Sequence, residues 1–484
     1  MKTSNKFICS LAASLAVGGL AHAFSLGGPP AAWMTADMGY DAVVGPMTPG
    51  EGYRFNAPVV VYGFDQSFIE FFGAEGVAAV ESAMKILNDL PAASSIDPGL
   101  FPTSTTRINH SARRLRLLDV KSNVLAMLLE QMGLTSPERF MWSLRQVNRP
   151  NEFVRNFLTI RRNYDPFTVL PSSFINGTLY TFQIVPIGDD LWEAEEISID
   201  PAEPNISVVG YAGGGLVDQR VARLHDARGL FFSGLTQDDV GGLRYLYHPG
   251  TVAVELLPAG TTLRTTRAVD EVSSGGGGSQ GGWTPFYGVG IVTDPNGGGT
   301  GATNTVAVVD AAVRRGVDKV TFVRGDINNP VLTQFTRPVV VRYSDSYSTN
   351  GVLGQFKTQN VERTLVAPDI LFTASDLGNL APGLPVPVIS LNEFTHVNFG
   401  PLNSAAPGVG PLGPGINEGG GLRINLSRIG LAELNSNATD NLTEEEGLTS
   451  YMWGSFDGST NAPTVYPVGR VNLRMVESIV RNRN

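Results

Sequence analysis

The sequence predicts a chain in two parts, an α+β first half followed by a Gly/Pro-rich, mostly β second half. Between about residues 51 and 250, strand-like and helix-like segments alternate. From Thr251 onward, short apolar runs recur between turn-rich tracts, a pattern typical of an antiparallel β domain such as a sandwich. With 484 residues, the chain exceeds the size at which one hydrophobic core keeps growing, so we expect two or three domains.

The first 23 residues have the organisation of a secretory signal peptide. Two lysines form a basic n-region, residues 7–20 form an apolar h-region, and Ala21-His22-Ala23 is an A-x-A cleavage site. We therefore expect a mature chain that starts at Phe24 and is secreted, periplasmic or at the cell surface. The one cysteine, Cys9, lies in the signal peptide, so the mature protein would contain no disulfide.

Composition also predicts where the chain divides. Residues 24–50 carry Gly and Pro with scattered aromatic residues, which indicates an extended N-terminal arm. The predicted domains are residues 51–250 and 251–484. At the boundary, His248-Pro249-Gly250, proline stops a helix and glycine permits a sharp turn. We expect each half to bury its own core and the strands after Val252 to pair among themselves.

The first half predicts two helices and two strands. Strands are expected over residues 153–160 and 179–185. The second helix is expected over residues 120–132, with Gly133 at its end. The first helix covers residues 76–90, where four apolar residues at helical spacing share one face: Val77, Val80, Met84 and Leu87.

The second half predicts short strands separated by glycine-rich tracts. These tracts are read as surface loops of a β domain in preference to flexible linkers. The strand-like runs are residues 252–257, 305–309, 319–323, 338–343, 369–372 and 386–391, and the glycine tracts are residues 273–282, 294–299 and 407–421.

Three segments of the first half share a pattern with one protease family. They are Ala57–Tyr62 (APVVVY), residues 76–90 and residues 234–247 (GLTQDDVGGLRYLY). They resemble the opening and closing segments of the matrixin branch of the metzincins, secreted zinc proteases whose domain ends on a helix written much like L-x-x-D-D-x-x-G-I-x-x-L-Y. The resemblance implies a metzincin-like α+β fold for residues 51–250. It does not extend to the second half.

The zinc motif of that family, H-E-x-x-H-x-x-G-x-x-H, is absent from this sequence. In it, two histidines one helical turn apart and a third after a glycine hold the metal, and the glutamate is the general base. A second window, residues 205–209, contains neither His nor Glu. The sequence therefore lacks the histidine ligands and the glutamate base that this family uses for zinc-dependent proteolysis.

The window that fits the motif best is residues 126–136 (AMLLEQMGLTS). With Gly133 as the motif glycine, the three ligand positions hold Ala126, Glu130 and Ser136, and the base position holds Met127. Only Glu130 has a side chain that binds metal, and one carboxylate does not hold zinc in a tetrahedral site. The resemblance thus implies a domain without zinc that is inactive as a protease, and we assign no catalytic, cofactor-binding or metal-binding residue.

The sequence gives only weak support for other kinds of catalytic site. The four histidines of the mature chain are too far apart in sequence for a local metal site, and His248 is expected to act as a cation at a helix C-terminus. The serine hydrolase motif G-x-S-x-G is absent, and no glycine tract ends in Gly-Lys-Ser/Thr. A glycosidase needs two carboxylates, but the candidate acids are expected to be solvated or helix-capping groups: Glu193, Glu195, Glu196, Asp238 and Asp239.

Ligands and partners are only loosely constrained. No cofactor is predicted; calcium is the ion to expect if one is bound, and zinc is not expected. Several aromatic residues have two interpretations, a carbohydrate-binding platform and packing in the core, of which packing is the more common. The loops considered for calcium are residues 294–296, Asp440 and residues 444–446, and the aromatic residues are Trp283, Phe286, Tyr287, Tyr451, Trp453 and Phe456.

Charge narrows the partner classes. The net charge is −10, and removal of Lys2 and Lys6 leaves 33 basic against 45 acidic residues. We therefore expect no nucleic acid partner, and no apolar run is long enough to span a membrane. An extracellular protein or a polysaccharide remains open as a partner. The sequons, which would accept glycans only in a eukaryotic secretory pathway, are Asn109, Asn176, Asn205, Asn425, Asn437 and Asn441.

The sequence favours an exported, non-catalytic surface or extracellular protein with a pseudo-metallopeptidase domain and a β-rich binding or structural domain. The alternative is a secreted metallopeptidase-like hydrolase with an atypical metal site. Clustering of His, Asp and Glu side chains in the folded protein would favour the alternative.

Overall fold

Among the residues that it describes, the structure, a computed structural model, has more strand than helix, 40% against 23%, in agreement with the mixed, β-rich class that the sequence predicts. It describes residues 23–28, 33–35, 45–49, 54–151, 154–188, 191–199, 206–210, 228–258, 260–263, 308–309, 312–327, 334–348, 355–374, 388–390, 422–426, 429–431, 448–450 and 452–468.

Three of the five helices given below begin at a carboxylate or hydroxyl side chain that caps them: Asp65, Asp119 and Thr236. Asp65 caps the first long helix by accepting a hydrogen bond from Phe68 N, and Gly73 kinks that helix with φ of 61°. The helices predicted over residues 76–90 and 120–132 are confirmed, although the first begins ten residues earlier. The α-helices that lie within the described segments are α1 Gln66–Asn88, α2 His110–Arg114, α3 Val120–Gln131, α4 Pro137–Phe140 and α5 Gln237–Tyr247.

Thirteen strands precede residue 250 in the described part of the chain, and they include the two predicted over residues 153–160 and 179–185. They are β1 Phe24–Gly28, β2 Gly45–Pro46, β3 Val59–Phe64, β4 Thr106–Ile108, β5 Leu118–Asp119, β6 Leu134–Thr135, β7 Trp142–Asn148, β8 Asn156–Arg161, β9 Asn163–Tyr164, β10 Phe174–Ile175, β11 Thr178–Gly188, β12 Leu191–Ser198 and β13 Leu230–Phe232.

The described segments after residue 250 contain thirteen further strands. Five of the six predicted runs are strands, while residues 308–309 are irregular and residues 305–307 lie outside the described residues. The strands are β14 Val252–Glu255, β15 Thr261–Leu263, β16 Ala312–Arg315, β17 Thr321–Arg324, β18 Val339–Ser348, β19 Lys357–Leu365, β20 Ile370–Thr373, β21 Val388–Ser390, β22 Leu422–Asn425, β23 Ile429–Leu431, β24 Leu448–Ser450, β25 Trp453–Ser455 and β26 Thr464–Val465.

One parallel sheet crosses the predicted domain boundary. Its order is β17-β3-β20-β22-β21, so the only strand from the first half is flanked on both sides by strands from the second. Val60 lies opposite Phe322, and Tyr62 lies opposite Ile370. The prediction that the strands after Val252 pair only among themselves is therefore wrong. A strand as apolar as β3 is buried on both faces only when neighbours complete its hydrogen bonds on both edges.

A second sheet does follow the sequence prediction, since it is antiparallel and comes entirely from the second half. Its order is β14-β16-β18-β19-β15. The long pair β18–β19 runs in register from Val339 opposite Leu365 to Tyr347 opposite Lys357. The second half thus contributes to both an antiparallel sheet of its own and the shared parallel sheet.

The predicted N-terminal arm is also corrected at its start. β1 pairs antiparallel with β2, β6 and β9, and Phe24 and Leu26 are each 2% exposed. The aromatic ring of Phe24 stacks on Tyr245 at 5.0 Å between centroids. Five residues that look like a Gly/Pro-rich lead-in are therefore a buried strand. Alternation and length give no signal in so short a strand, and its burial comes from its partners.

The halves share one hydrophobic core. A single cluster of buried residues extends along the chain from Phe24 to Tyr466. The inner faces of α1 and α3, including Met84 and Leu128, lie in the same cluster as Phe322 and Ile370 from the second half. The expectation of two independent cores is wrong, because the α1 face needs the strands that follow Val252 to cover it.

The predicted hinge after α5 is packed against the second half. The backbone N–H of Asp318 donates to Tyr247 O at 2.9 Å, and that of Gly316 donates to Thr251 O at 3.0 Å. Gly316 is required there, because a Cβ atom would lie 2.3 Å from Tyr247 O. Within the described residues, none of the helices is both long and apolar enough to cross a membrane.

A chain truncated after residue 250 should therefore fail to fold. It would lose four of the five strands of the parallel sheet and would expose the α1 face. We expect insoluble protein, or soluble protein without a cooperative unfolding transition by circular dichroism. The chain of residues 24–484 is the control. Cooperative unfolding of residues 24–250 alone would contradict the shared core and restore the two-domain interpretation.

Replacing Arg54 by methionine should destabilise the protein by about 3–5 kcal/mol, because Glu255 would be left as a buried charge without its partner. Both side chains are 0% exposed and their Nε and Oε1 atoms are 2.6 Å apart. Chemical denaturation measures the change. The matched control is Lys85→Met, which removes an exposed pair with Asp89 and should cost no more than about 0.5 kcal/mol. Equal effects of the two substitutions would contradict this assignment.

Candidate functional site

The end of α3, where a zinc motif would lie, is built from core residues. Asp119 begins the helix by accepting hydrogen bonds from the backbone N–H and the hydroxyl of Ser122. Ala126 and Met127, at the first-ligand and base positions, are 0% and 1% exposed and belong to the apolar core. Gly133 follows with φ of 107°, in the left-handed region that favours glycine. A glycine turn follows α3, and Ala126 and Met127 are packing residues.

Glu130, at the second-ligand position, is a buried acid. Burial raises the pKa of Glu130 to about 8, and the Arg139 guanidinium opposes that shift. Its Oε2 atom has no hydrogen-bond partner among the described residues. The fold therefore favours the protonated acid at neutral pH. Because a metal binds the deprotonated carboxylate, this environment works against coordination.

Ser136, at the third-ligand position, is engaged by a neighbouring acid. Its hydroxyl donates to Glu138 Oε2 at 2.9 Å. Glu138 also accepts hydrogen bonds from the backbone N–H and the hydroxyl of Ser207. Burial raises the pKa of Glu138 to about 7, and these hydrogen bonds oppose the shift. The serine and the glutamate thus fasten the segment that contains Ser207.

The start of α5 holds the same segment from the other side. Thr236 and Asp239 form a capping box, in which each side chain accepts a hydrogen bond from the other residue's backbone. Asp239 Oδ2 also accepts from Val208 N at 3.0 Å, and Oδ1 accepts from Val209 N at 3.2 Å. The capping role predicted for Asp239 is confirmed. With Glu138, it holds a loop that is 31 residues away from it in sequence.

Asp238 differs from the solvated or capping group that the sequence predicts. It is 2% exposed. Its Oδ1 accepts a hydrogen bond from Ala23 N at 2.8 Å, and its Oδ2 accepts one from Asn176 N at 2.5 Å. Burial raises the pKa of Asp238 well above its usual range, and the nearby carboxylates of Asp239 and Glu138 shift it in the same direction. The prediction of a solvated residue is wrong here.

The acidic side chains of β12 are also buried or half-buried. Glu193 is 8% exposed, so its predicted place on the solvated surface is wrong. The half-buried Glu195 accepts a hydrogen bond from Gln183 at 2.6 Å, and Glu196 accepts one from Trp142 N at 2.8 Å. Burial raises the pKa of Glu196 well above its usual range, and the carboxylate of Glu193 adds to the shift. The carboxylate of Glu196 is therefore an internal group.

We call Glu138, Glu196, Asp238 and Asp239 the buried acidic cluster. Each accepts a backbone N–H, so the cluster fastens loops and strands to the core. In the part of the chain that the structure describes, no group of three or more His, Cys, Asp or Glu side chains could hold a metal ion. Sequence reasoning missed Glu138 because its partner Ser207 lies 69 residues away.

The histidines do not come together in the described residues. His110 is exposed at the start of α2. His248 is the C-cap of α5, but its Nδ1 accepts a hydrogen bond from Gly250 N at 2.8 Å, so it caps through its backbone. The predicted role as a cation at this helix end stays a prediction. His225 and His396 lie outside the described residues.

Of the residues predicted for a carbohydrate platform or a calcium loop, only Trp453 and Phe456 lie in the described part of the structure. Trp453 is 0% exposed and Phe456 is 8% exposed, so neither belongs to a carbohydrate platform. Trp453 packs against Phe72 of α1 at 6.1 Å between ring centroids. Core packing is thus the correct interpretation of these two. The other residues of both predictions lie outside the described residues: Trp283, Phe286, Tyr287, Tyr451, residues 294–296, Asp440 and residues 444–446.

Three of the six sequons are closed to glycans in the folded protein. Asn109, Asn176 and Asn425 are each 0% exposed. The side-chain amide of Asn109 donates to the carbonyl oxygens of Asp457, Gly458 and Asn461, which fixes a distant loop against α2. These asparagines have structural roles. The other three sequons, Asn205, Asn437 and Asn441, lie outside the described residues.

Comparisons of the chain with protein-family models, curated proteins and solved structures found no match. The resemblance to metzincins therefore rests on the quoted segments. Of the elements that those segments predict, the structure contains the strand β3, the long helix α1 and the capped helix α5, in that order.

Replacing Glu130 by glutamine should make stability less dependent on pH. The folded-state pKa of about 8 lies above the unfolded value of about 4.3. The contribution of Glu130 to stability is therefore complete below about pH 4.3. It is lost as pH rises to 8, by up to about 1.4 kcal/mol per pH unit. Glutamine cannot ionise, so the free energy of unfolding of Glu130→Gln should fall less between pH 5 and pH 8 than that of the wild type.

Urea denaturation at both pH values measures this change. The matched control is Glu70→Gln at an exposed glutamate of α1, which should keep the wild-type pH dependence. An unchanged pH dependence in Glu130→Gln would show that Glu130 is ionised in the folded protein at neutral pH.

Proposed function

We propose that this protein is an exported, non-catalytic surface or extracellular protein. Its first half keeps elements of a metzincin-like domain without the zinc ligands, and its β-rich remainder has a binding or structural role. The proposal rests on which residues stand at the four positions of the zinc motif. Ala126 and Met127 are core residues, Glu130 is a buried acid, and Ser136 is bonded to Glu138.

The chemistry of the missing motif explains why these replacements support a non-catalytic role. Peptide hydrolysis by a zinc enzyme requires three ligands, an open coordination position and a base that takes a proton from water. Alanine offers no lone pair, and the thioether of Met127 does not accept a proton at neutral pH. The site that would perform catalysis is filled by side chains that stabilise the core.

A binding role is supported by exposed apolar side chains that recur between residues 154 and 199. Of twelve exposed large hydrophobic residues found in the described part of the chain, six lie in this region of the β7–β12 hairpins. They are Val154, Leu158, Phe167, Leu170, Leu179 and Ile199.

The alternative is a secreted metallopeptidase-like hydrolase with an atypical metal site or a pair of catalytic carboxylates. The observation in its favour is the buried acidic cluster, since acids with raised pKa values are frequent at active sites. Structural hydrogen bonds account for these acids without catalysis. Metal content and activity separate the two functions.

Purified mature protein should contain no stoichiometric zinc and should not cleave casein, because its motif positions provide neither a ligand set nor a base. Elemental analysis by mass spectrometry measures the metal, and release of labelled peptides measures cleavage. Glu130→Gln is the matched variant, since it removes the one motif position that could bind metal without changing side-chain size. We expect it to leave the metal content unchanged.

One zinc ion per chain, lost with activity on chelation or in Glu130→Gln, would contradict the proposal and establish the hydrolase. Activity without metal that disappears in Glu138→Gln would instead support catalysis by carboxylates.

A further inference from the structure

Two adjoining cavities lie where the first half of the chain meets the second. The outer cavity lies between the end of α1, the start of β17 and α5, and the inner cavity lies between α3 and the parallel sheet. Four side chains line both cavities: Met132 and Tyr247 from the first half, and Val320 and Phe322 from the second. Ligand sites are frequent at junctions of this kind.

The outer cavity reaches the surface beside Pro91 and Lys319, which are both exposed. The Lys319 ammonium donates hydrogen bonds to Asn88 O and Leu90 O, each at 2.9 Å, where α1 ends. A cation is favourable at the C-terminal end of a helix. These bonds fix the rim of the opening, so the cavity has a defined entrance.

The walls of both cavities are apolar. Leu87 and Leu243 line the outer cavity, and Leu128 and Ile370 line the inner one, and each of the four is at most 3% exposed. Met132 borders both spaces, and an unbranched methionine side chain adapts its shape readily. An adjustment of Met132 would lengthen the apolar space from the surface toward α3.

The inner cavity also has a polar group that the protein leaves unused. Gln131, the last residue of α3, lines this cavity and is 2% exposed. Within the described residues, neither its Nε2 nor its Oε1 atom has a hydrogen-bond partner. The Tyr247 hydroxyl already donates to Met132 O at 3.2 Å. Because a buried donor and a buried acceptor without partners are costly, the amide marks a place for a group that can both accept and donate.

We propose that these cavities bind an aliphatic molecule with one neutral carboxamide or un-ionised carboxyl group. The aliphatic chain fills the apolar space, and the head group pairs with the Gln131 amide. Nε2 donates to the carbonyl oxygen of the ligand, and an N–H or O–H of the ligand donates to Oε1. The inference goes beyond the function proposed above, and it depends neither on export nor on the absence of zinc.

The surroundings of the inner cavity favour a neutral head group. None of the described residues that line it carries a charge. The buried guanidinium of Arg54, whose charge acts on Tyr247, is already paired with Glu255. An ionised carboxylate in this cavity would therefore be a buried charge without a partner, which is costly. A neutral amide exchanges its hydrogen bonds with water for hydrogen bonds with Gln131.

Thermal unfolding of the full chain in the presence of hexanamide tests the site. The unfolding midpoint should rise with hexanamide concentration, because the site exists only when both halves are packed together. Hexanoate, which is ionised at pH 7, should raise the midpoint less. No shift of the midpoint with millimolar hexanamide would overturn the site.

A matched ligand tests the head group without any change to the protein. N,N-dimethylhexanamide keeps the carbonyl oxygen but has no N–H to donate to Gln131 Oε1. Its affinity, measured by calorimetry on the unsubstituted chain, should be at least about tenfold weaker than that of hexanamide. Equal affinities of the two amides would overturn the pairing with Gln131.

Two substitutions locate the ligand in the cavities. Gln131→Leu removes the amide and should weaken hexanamide binding at least about tenfold. Ala93→Leu fills part of the outer cavity and should also weaken it. The matched control is Gln146→Leu, at an exposed glutamine of β7, which should leave the affinity unchanged. Unchanged affinity in Gln131→Leu or in Ala93→Leu would overturn the proposal. If neither variant folds, the comparison of the two amides on the unsubstituted chain decides.

Discussion

The structure depends on the wholly buried guanidinium of Arg54. It forms an ion pair with Glu255 of β14 and donates to the carbonyl oxygens of Leu246, Thr251 and Arg314. Burial raises the pKa of Glu255, and the charge of Arg54 opposes that rise, so the pair stays compensated. One side chain just before β3 therefore satisfies the end of α5, the turn after it and the start of the antiparallel sheet. A lysine could not replace it, because it lacks the planar fork of donors.

The hydrogen-bond partners that β3 needs explain why the chain does not divide into two domains at residue 250. A parallel strand needs hydrogen-bond partners on both edges and cover on both faces. β3 finds its edges in β17 and β20, and Asp369 completes it by accepting from Val61 N at 2.9 Å while paired with Arg363. Buried charged side chains link the two sheets. The contacts of Arg54 with Glu255 and of Val61 N with Asp369 join residues about 200 to 300 positions apart. Glycine and proline near residue 250 mark a tight turn inside one folding unit.

The buried acidic cluster shows how buried acids can fasten distant segments of a chain. Glu138 and Asp239 hold one loop through its backbone N–H groups, and Asp238 holds the start of β1. A carboxylate accepts several hydrogen bonds at once, so it can fasten segments that have no regular partner. Raised pKa values follow from this burial. They indicate a functional site only when a cleft or a metal accompanies them.

The sequence by itself determined the local elements. Apolar spacing placed α1 and α3, the Thr236 to Asp239 pattern marked the start of α5, and five predicted runs of the second half are strands, because these features depend on neighbours within a few residues. Only the tertiary structure decided the rest. The burial of Asp238, the place of Phe24 in a sheet and the partners of β3 depend on contacts between residues far apart in sequence. Apolar content and turn residues do not encode which distant segments will satisfy a buried N–H or carboxylate.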